Sequence, residues 1–524
     1  MEAREALLDR VSAADGDTEI KDPATDEVIG RHTFGTAADV KAAVDKAAAA
    51  QPAWAALTDE ERVGYLNRVA DNIEAHKEEL AYAIVREQGK PISGLGARYE
   101  VDGCVGWLRA TAATPLPREV LVDDGATYAE MRYGPIGVVG AITPWNWPLI
   151  IATWQIAPSL RMGNTVVQKP SEYTTLCALA FIEVINQVLP EGVVVAVTGQ
   201  GDVGDALVRD KRVGKIMFTG SVKTGMKVVE ASAGNLSRLT LELGGNDAGV
   251  VLPDVDPEKI AEGLFYGAFI NNGQTCAALK RLYVPDAIYD RVVDSLAAFT
   301  AQMPTGPGLD ENTALGPLQN QMQWNVVNRL VEDAKQRGAR VVMGGDPDTS
   351  QPGFFYPKTL IADIDNDAPL VQEEQFGPAL PIIRYTDLEQ AVEWANAVDV
   401  GLGASVWSAD RDKAKEIAAR LEAGTVWING HGGIHPMILF GGAKKSGYGL
   451  EFGVDVGLGG SVWSADRDKA KEVAARIEAG TVWINGHGGI HPMVPFGGAK
   501  HSGYGLEFGV EGLKSVSVPQ VING

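Results

Sequence analysis

Residues 215–253 read KIMFTGSVKTGMKVVEASAGNLSRLTLELGGNDAGVVLP. Short apolar runs (KIMF, LTLEL, AGVVL) are bounded by Gly and Pro. Between the first two, the stretch 223–234 has the spacing of an amphipathic helix. A strand, a glycine loop, a helix and a second strand make a βαβ unit, whose crossover helix returns the chain for parallel pairing. The alternation recurs at VVVAVTG (193–199), RLYVP (281–285) and the helical stretch 257–268, so the fold class is α/β with parallel sheets. Upstream, 37–56 and 59–88 read as Ala- and Glu-rich helices, and REVLVDDGATYAEMRY (118–133) as a β-hairpin around a DDG turn.

Two glycine motifs compete for a phosphate. In FTGSVKTG (218–225), Gly220 and Gly225 allow close backbone approach, and Ser221 adds a hydroxyl beside the free N–H groups of a helix start. No Lys-Ser/Thr follows the second glycine, so it is not a P-loop. GQGDVG (199–204) is a literal G-x-G-x-x-G, but the acid expected about 20 residues on is missing, which favours a tight βα turn.

The chemistry-bearing pair is Glu242 in LTLELGGN (239–246) and Cys276 in FINNGQTC (269–276). A thiolate attacks an aldehyde carbon to form a thiohemiacetal that can lose hydride. An ordinary Cys pKa of about 8.5 leaves little thiolate at neutral pH, so a base is needed. Glu242 can take the thiol proton and later activate water to hydrolyse a thioester. On these two residues alone, a buried small hydrophobe and a salt-bridge partner remain the commoner reading.

The strings PWNWP (144–148), QKPSE (168–172), FTGSVKTG, LELGG, GQTCAALKR (273–281), EEQFGP (373–378) and PFGGAKHSGYG (495–505) occur in this order. Together they resemble the aldehyde dehydrogenase superfamily from about Asp22 to the C-terminus, including the 34-residue separation of base and nucleophile. The resemblance implies a Rossmann-like NAD-binding domain, an α/β catalytic domain and a small β bridging element. It assigns FTGSVKTG to the cofactor pyrophosphate, Lys169 and Glu172 to the adenosine ribose, and Ile142 and Trp145 to the nicotinamide half. Glu374 would meet the other ribose, with Phe376 against the ring. A carboxylate at Glu172 repels a 2′-phosphate, so NAD is favoured and NADP is possible. The Asn146 amide and the Cys276 N–H are the implied oxyanion donors. Trp147, Ile151, Trp154, Thr275 and the Phe of an FGG motif (Phe440 or Phe496) would line the substrate side, which favours an apolar or aromatic aldehyde. CoA-acylating relatives lack a base like Glu242. A chain that has kept the fold but lost activity is the alternative from another class.

A formal charge of −22 argues against nucleic acid and anionic membranes as partners. The three cysteines (Cys104, Cys177, Cys276) have no disulfide or metal spacing, and HGGIH (431–435, 487–491) lacks the Glu of a zinc helix, so no metal is expected. The N-terminus carries no apolar signal segment, and no apolar run reaches a membrane span; the expectation is a cytoplasmic protein.

Residues 398–453 and 454–509 form a tandem repeat of 56 residues. The copies differ at Ala404/Gly460, Ile417/Val473, Leu421/Ile477, Ile438/Val494, Leu439/Pro495 and Lys445/His501. Each copy reads strand, helix, strand and Gly-rich loop, with Ala414, Ile417, Ala418 and Leu421 as the helix stripe and Gly424 as its C-cap. The expected partition is 1–115 with 136–243 for NAD, 116–135 with 510–524 for bridging, 244–453 for catalysis and 454–509 as an added lobe. The hairpin and a last strand near 513–518 resemble elements that pair subunits into dimers or tetramers. The first copy is expected to dock in the core.

Overall fold

A computed structural model describes residues 2–449 except 116–117, 124–127, Leu236, Met437 and Leu439, and beyond these the strands 459–462, 481–484 and 517–523. Two open sheets dominate. In the first, five parallel strands stand in the spatial order Arg238–Glu242, Val213–Thr219, Val138–Ile142, Thr165–Lys169, Val194–Ala196. Chain order reverses between Val138–Ile142 and Val213–Thr219, which opens a crevice beyond their carboxyl ends, where open α/β sheets bind ligands.

The second sheet runs Arg340–Met343, Thr359–Ala362, Ala379–Tyr385, Leu279–Pro285, Asp247–Val251, Gly403–Trp407, Thr425–Ile428, parallel but for the first strand. The short turn Leu243–Asn246 links the two sheets, so Glu242 ends one and Asp247 begins the other.

Helix Pro148–Arg161 is buried along its whole length and is apolar around most of its circumference, as befits a helix inside the core. Pro148 supplies the fixed φ of a first turn, and no side chain of its N-cap Trp147 caps it. The expected helix 59–88 is two helices, Asp59–Ala75 and Lys77–Gln88, because His76 leaves helical geometry at φ −104°, ψ 20°. Helix Arg411–Ala418 also ends before its expected cap. Gly424 lies beyond it, and a Cβ there would stand 1.7 Å from the Gly441 carbonyl oxygen, so this glycine serves close backbone packing.

The hairpin pairs Arg118–Asp123 with Tyr128–Pro135, and the latter pairs antiparallel with Ser517–Asn523, a few residues beyond the predicted last strand.

The first copy of the repeat supplies two strands of the seven-stranded sheet: Ala404 lies opposite Ala248, and Ser405 opposite Trp427. The second copy's described strands pair only with each other, in the same register moved by 56 residues: Gly460 opposite Val482, Ser461 opposite Trp483. Side-chain chemistry favours this choice. Ala404 is 3% exposed and Ile417 is buried, where the second copy offers Gly460 and Val473. A Gly within a strand and an Ile-to-Val truncation together cost about 1–2.5 kcal/mol. Trp427 donates Nε1–H to the Gly433 carbonyl at 2.8 Å and packs 5.0 Å from the His431 ring. Trp427→Asp should therefore cost about 3 kcal/mol or more in thermal melting, and Trp483→Asp less than about 1 kcal/mol; the opposite ranking would place the second copy in the sheet.

Candidate active site

The loop that carries Cys276, the candidate nucleophile, begins where helix Pro257–Phe269 ends. Asn271 and Asn272 both take left-handed backbone conformations (φ 50° and 56°), followed by Gly273 at φ 76°. Asn tolerates this region better than other side chains, and the helix cannot continue through it. Gly273 is also required by space: a Cβ would lie 2.3 Å from the Gly377 carbonyl oxygen.

Hydrogen bonds hold the loop in place. Asn271 Nδ2 donates to the Asn146 carbonyl at 2.8 Å, and Asn146 Nδ2 donates to the Gln274 carbonyl at 2.9 Å. The Gln319 N–H donates to Gln274 Oε1 at 2.9 Å. Asn146, 4% exposed, therefore sits two residues from the thiol in the loop's own hydrogen-bond frame. The Cys276 N–H makes no hydrogen bond among the described residues.

Lys280 lies beneath the loop. Its ammonium donates to the Thr275 carbonyl at 2.8 Å and the Cys276 carbonyl at 2.6 Å, and it pairs with Glu374 at 3.2 Å. Glu374 also accepts the Gly245 N–H at 3.3 Å, and burial raises its pKa. The glutamate expected at a ribose is thus engaged in an ion pair with Lys280 in this structure, because a buried ammonium so close demands a counter-charge.

The Cys276 thiol is partly exposed, yet the protein around it raises its pKa to about 12. Desolvation is the main cause, Lys280 opposes it, and Glu374, Asp247 and Glu242 add to it. Glu242 is buried at a strand end; its carbonyl accepts the Gly220 N–H at 2.9 Å, and Gly447 pairs opposite it. Ser446 fastens the same turn, donating to the Gly244 carbonyl at 2.8 Å and accepting the Gly401 N–H at 2.9 Å. The Gly-rich loop of the first copy thereby pins the general-base candidate.

The crevice at the strand-order reversal encloses about 690 Å³. Ile142, Trp145, Lys169, Glu172, Gly220 and Ser221 all line it. Ser221 caps helix Val222–Ser232, accepting the Thr224 N–H at 3.3 Å, and the first turn of that helix carries no acid. Lys169 stands 3.9 Å from Glu172, and burial lowers its pKa. Gly225 does not line the cavity: a Cβ there would meet the Leu243 side chain at 2.6 Å, so this glycine brings the helix onto the inter-sheet turn. Phe376, at φ 47°, lies outside the lining but packs edge-on against Trp145 at 5.4 Å. Gln200, Gly201 and Gly204 of GQGDVG share the crevice, as do Tyr173, Lys227 and the exposed Met322. The G-x-G-x-x-G pattern was a signal for the first three; nothing in the sequence pointed to the last three.

Trp147, Ile151, Trp154 and Phe440 are buried in one apolar cluster, against which Trp107, Cys276, Trp427 and Ile434 pack. Trp147 Nε1–H donates to Thr275 Oγ1 at 2.9 Å, and the Trp107 and Trp154 rings lie 5.7 Å apart. Phe496 lies outside the described residues. His431 Nδ1 meets Ser405 Oγ at 2.9 Å, and Nε2 faces Asp247 at 3.5 Å. Among the described residues no cluster of three or more His, Cys, Asp or Glu could hold a metal, and no helix is long and apolar enough to cross a membrane.

The model of the aldehyde dehydrogenase family matches residues 11–456 and again 453–522. A phenylacetaldehyde dehydrogenase of Pseudomonas fluorescens is 39% identical over 447 residues, covering 83% of this chain and 89% of that protein. The crystal structure of a putative aldehyde dehydrogenase from Burkholderia cenocepacia superposes with a TM-score of 0.83 at 33% identity, covering 98% of this chain and 95% of the other. A betaine aldehyde dehydrogenase from Staphylococcus aureus, solved in complex with NAD+, superposes at 0.82 with 29% identity, covering 98% and 92%. With a family model matching most of its length and relatives alike over more than four fifths of it, the chain belongs to the aldehyde dehydrogenase family and is an oxidoreductase acting on aldehydes.

Proposed function

We propose that the chain oxidises an apolar or aromatic aldehyde to its carboxylic acid, with NAD as the preferred acceptor. Cys276 is the nucleophile, Glu242 the general base, and Asn146 with the Cys276 N–H the oxyanion donors. The observation that carries this reading is the Asn146–Gln274 hydrogen bond, which brings the amide donor into the nucleophile loop from 128 positions away.

The crevice fits a dinucleotide in volume and in chemistry. A capped helix start offers N–H groups to a pyrophosphate, and Lys169 and Glu172 offer a donor and an acceptor to ribose hydroxyls. When bound, the nicotinamide supplies the acceptor for the two electrons the aldehyde loses. Glu242 removes the thiol proton, the thiolate attacks the carbonyl carbon, and the donors at Asn146 and Cys276 hold the oxygen as charge develops. After oxidation to the thioester, Glu242 deprotonates the water that releases the acid. This last duty disfavours transfer to CoA. The aromatic wall around Trp147, Trp154 and Phe440, and the likeness to a phenylacetaldehyde dehydrogenase, support an aryl or alkyl substrate.

We further read the chain as a homo-oligomer, on its hairpin and terminal strand, a property that light scattering at micromolar concentration reads directly. The partition into NAD-binding, catalytic and bridging parts belongs to the same reading; most of 454–509, expected as an added lobe, lies outside the described residues.

The thiol's raised pKa has a signed consequence. At pH 8 nearly all Cys276 is protonated, so in cofactor-free protein its alkylation by iodoacetamide should climb about tenfold per pH unit through pH 10. A plateau below pH 9 would show an activated resting thiolate. Glu242→Gln should still give a burst of reduced cofactor, then a steady rate lowered about 10²- to 10⁴-fold; an unchanged steady rate would move the base elsewhere. Glu172→Ser should shift the NAD/NADP preference towards NADP by about tenfold, and an unchanged ratio would remove Glu172 from the ribose.

A further inference from the structure

Lys90 and Glu100 lie outside every site described above, and both side chains are 0% exposed. Lys90 follows helix Lys77–Gln88, and Glu100 stands in the first turn of helix Ala97–Ala113. Their ammonium and carboxylate meet at 2.5 Å. Burying such a pair costs desolvation that mutual attraction only partly offsets, so its place in the core calls for a reason.

The remaining contacts of the pair supply one. Lys90 Nζ donates to the Asn146 carbonyl at 3.0 Å and stands 3.6 Å over the Trp147 ring. Glu100 Oε1 accepts the Leu149 N–H at 2.8 Å and the Ile150 N–H at 3.2 Å. The free N–H groups of the buried helix start are thus capped by a carboxylate from another helix. One ion pair grips four of the five residues from Asn146 to Ile150: a carbonyl, a ring and two amides. Asn146 turns its carbonyl towards Lys90 and Asn271 and its side-chain amide towards the nucleophile loop.

We propose that Lys90 and Glu100 are positioning residues for the reaction: their ion pair fixes the backbone of Asn146 so that its amide is aimed at the oxygen of the substrate bound to Cys276. This rests on Asn146 being an oxyanion donor. Neither residue touches substrate or cofactor; both act through the main chain of 146–150. Because the carbonyl of Asn146 is held by two donors, loss of the pair loosens the aim of the amide without removing it.

The test is a double-mutant cycle on kcat in the full chain, with Asn146→Ala as one arm and the neutral, shape-conserving pair Lys90→Met/Glu100→Gln as the other. Asn146→Ala should lower kcat about 10²- to 10³-fold, as loss of an oxyanion donor does. The pair variant should lower kcat about 10- to 100-fold in the native background and less than about threefold once Asn146 is Ala, since there is no longer an amide to aim. Aldehyde KM and NAD affinity by fluorescence titration should stay within about threefold throughout. An equal loss from the pair variant in both backgrounds would mean a general structural role and overturn the proposal. So would no loss in the native background. If Asn146→Ala leaves kcat unchanged, the oxyanion reading falls and this proposal with it. Should the double variant not fold, Glu100→Gln alone keeps an acceptor for Leu149 and Ile150: a loss confined to the native background supports the proposal, and an equal loss in both overturns it.

Discussion

A single buried ammonium holds the reacting end of this molecule together. Lys280 has three protons to donate and uses them on the carbonyls of Thr275 and Cys276 and the carboxylate of Glu374. Turning two consecutive carbonyls towards one cation leaves the nucleophile loop little freedom. The left-handed run at Asn271, Asn272 and Gly273 persists because that anchor and the frame around Asn146 and Gln274 over-determine it. The same cation opposes the desolvation that raises the thiol pKa. One cation thus bears on both the backbone of the loop and the acidity of its thiol.

The two sheets explain why such distant segments meet. The five-residue strands ending at Ile142 and Glu242 aim their following turns at the seam between the sheets, and strand Asp247–Val251 leaves from it at once. Asn146, Glu242 and Cys276 therefore come from turns at carboxyl strand ends or helix ends, where backbone direction changes and side chains can converge. The crevice lies beyond the strand ends at Ile142 and Thr219, and Cys276 packs against the apolar cluster that holds Trp147, Trp154 and Phe440.

The α/β class was legible because apolar runs punctuated by glycine have few other readings, and Gly220 and Ser221 because a glycine loop there opens a helix; Ile142, Trp145, Lys169 and Glu172 were legible only through the resemblance carried by PWNWP and QKPSE. Buried charge was not legible. Lys280, Lys90 and Glu100 look in sequence like solvated surface residues, and only their partners reveal them as interior. Glycines misled twice: Gly225 and Gly424 serve close packing, because a missing Cβ can relieve crowding as well as open φ. The break at His76 escaped periodicity, since the apolar spacing continues through it. The repeat posed a choice between two copies that pattern alone left open, and Ala404 and Ile417 fill space that Gly460 and Val473 would leave empty.

Asn272 and Gly273 form an Asn-Gly sequence, the pairing most prone to deamidation in flexible chains, four residues from the thiol. Succinimide formation needs the Gly273 amide nitrogen to reach the Asn272 side-chain carbon in an extended backbone. The fold instead locks Asn272 at φ 56°, ψ 34°, with 2% exposure. The left-handed geometry and burial of this loop therefore oppose succinimide closure while the protein is folded, and so guard the charge of a segment four residues from Cys276 as well as its shape.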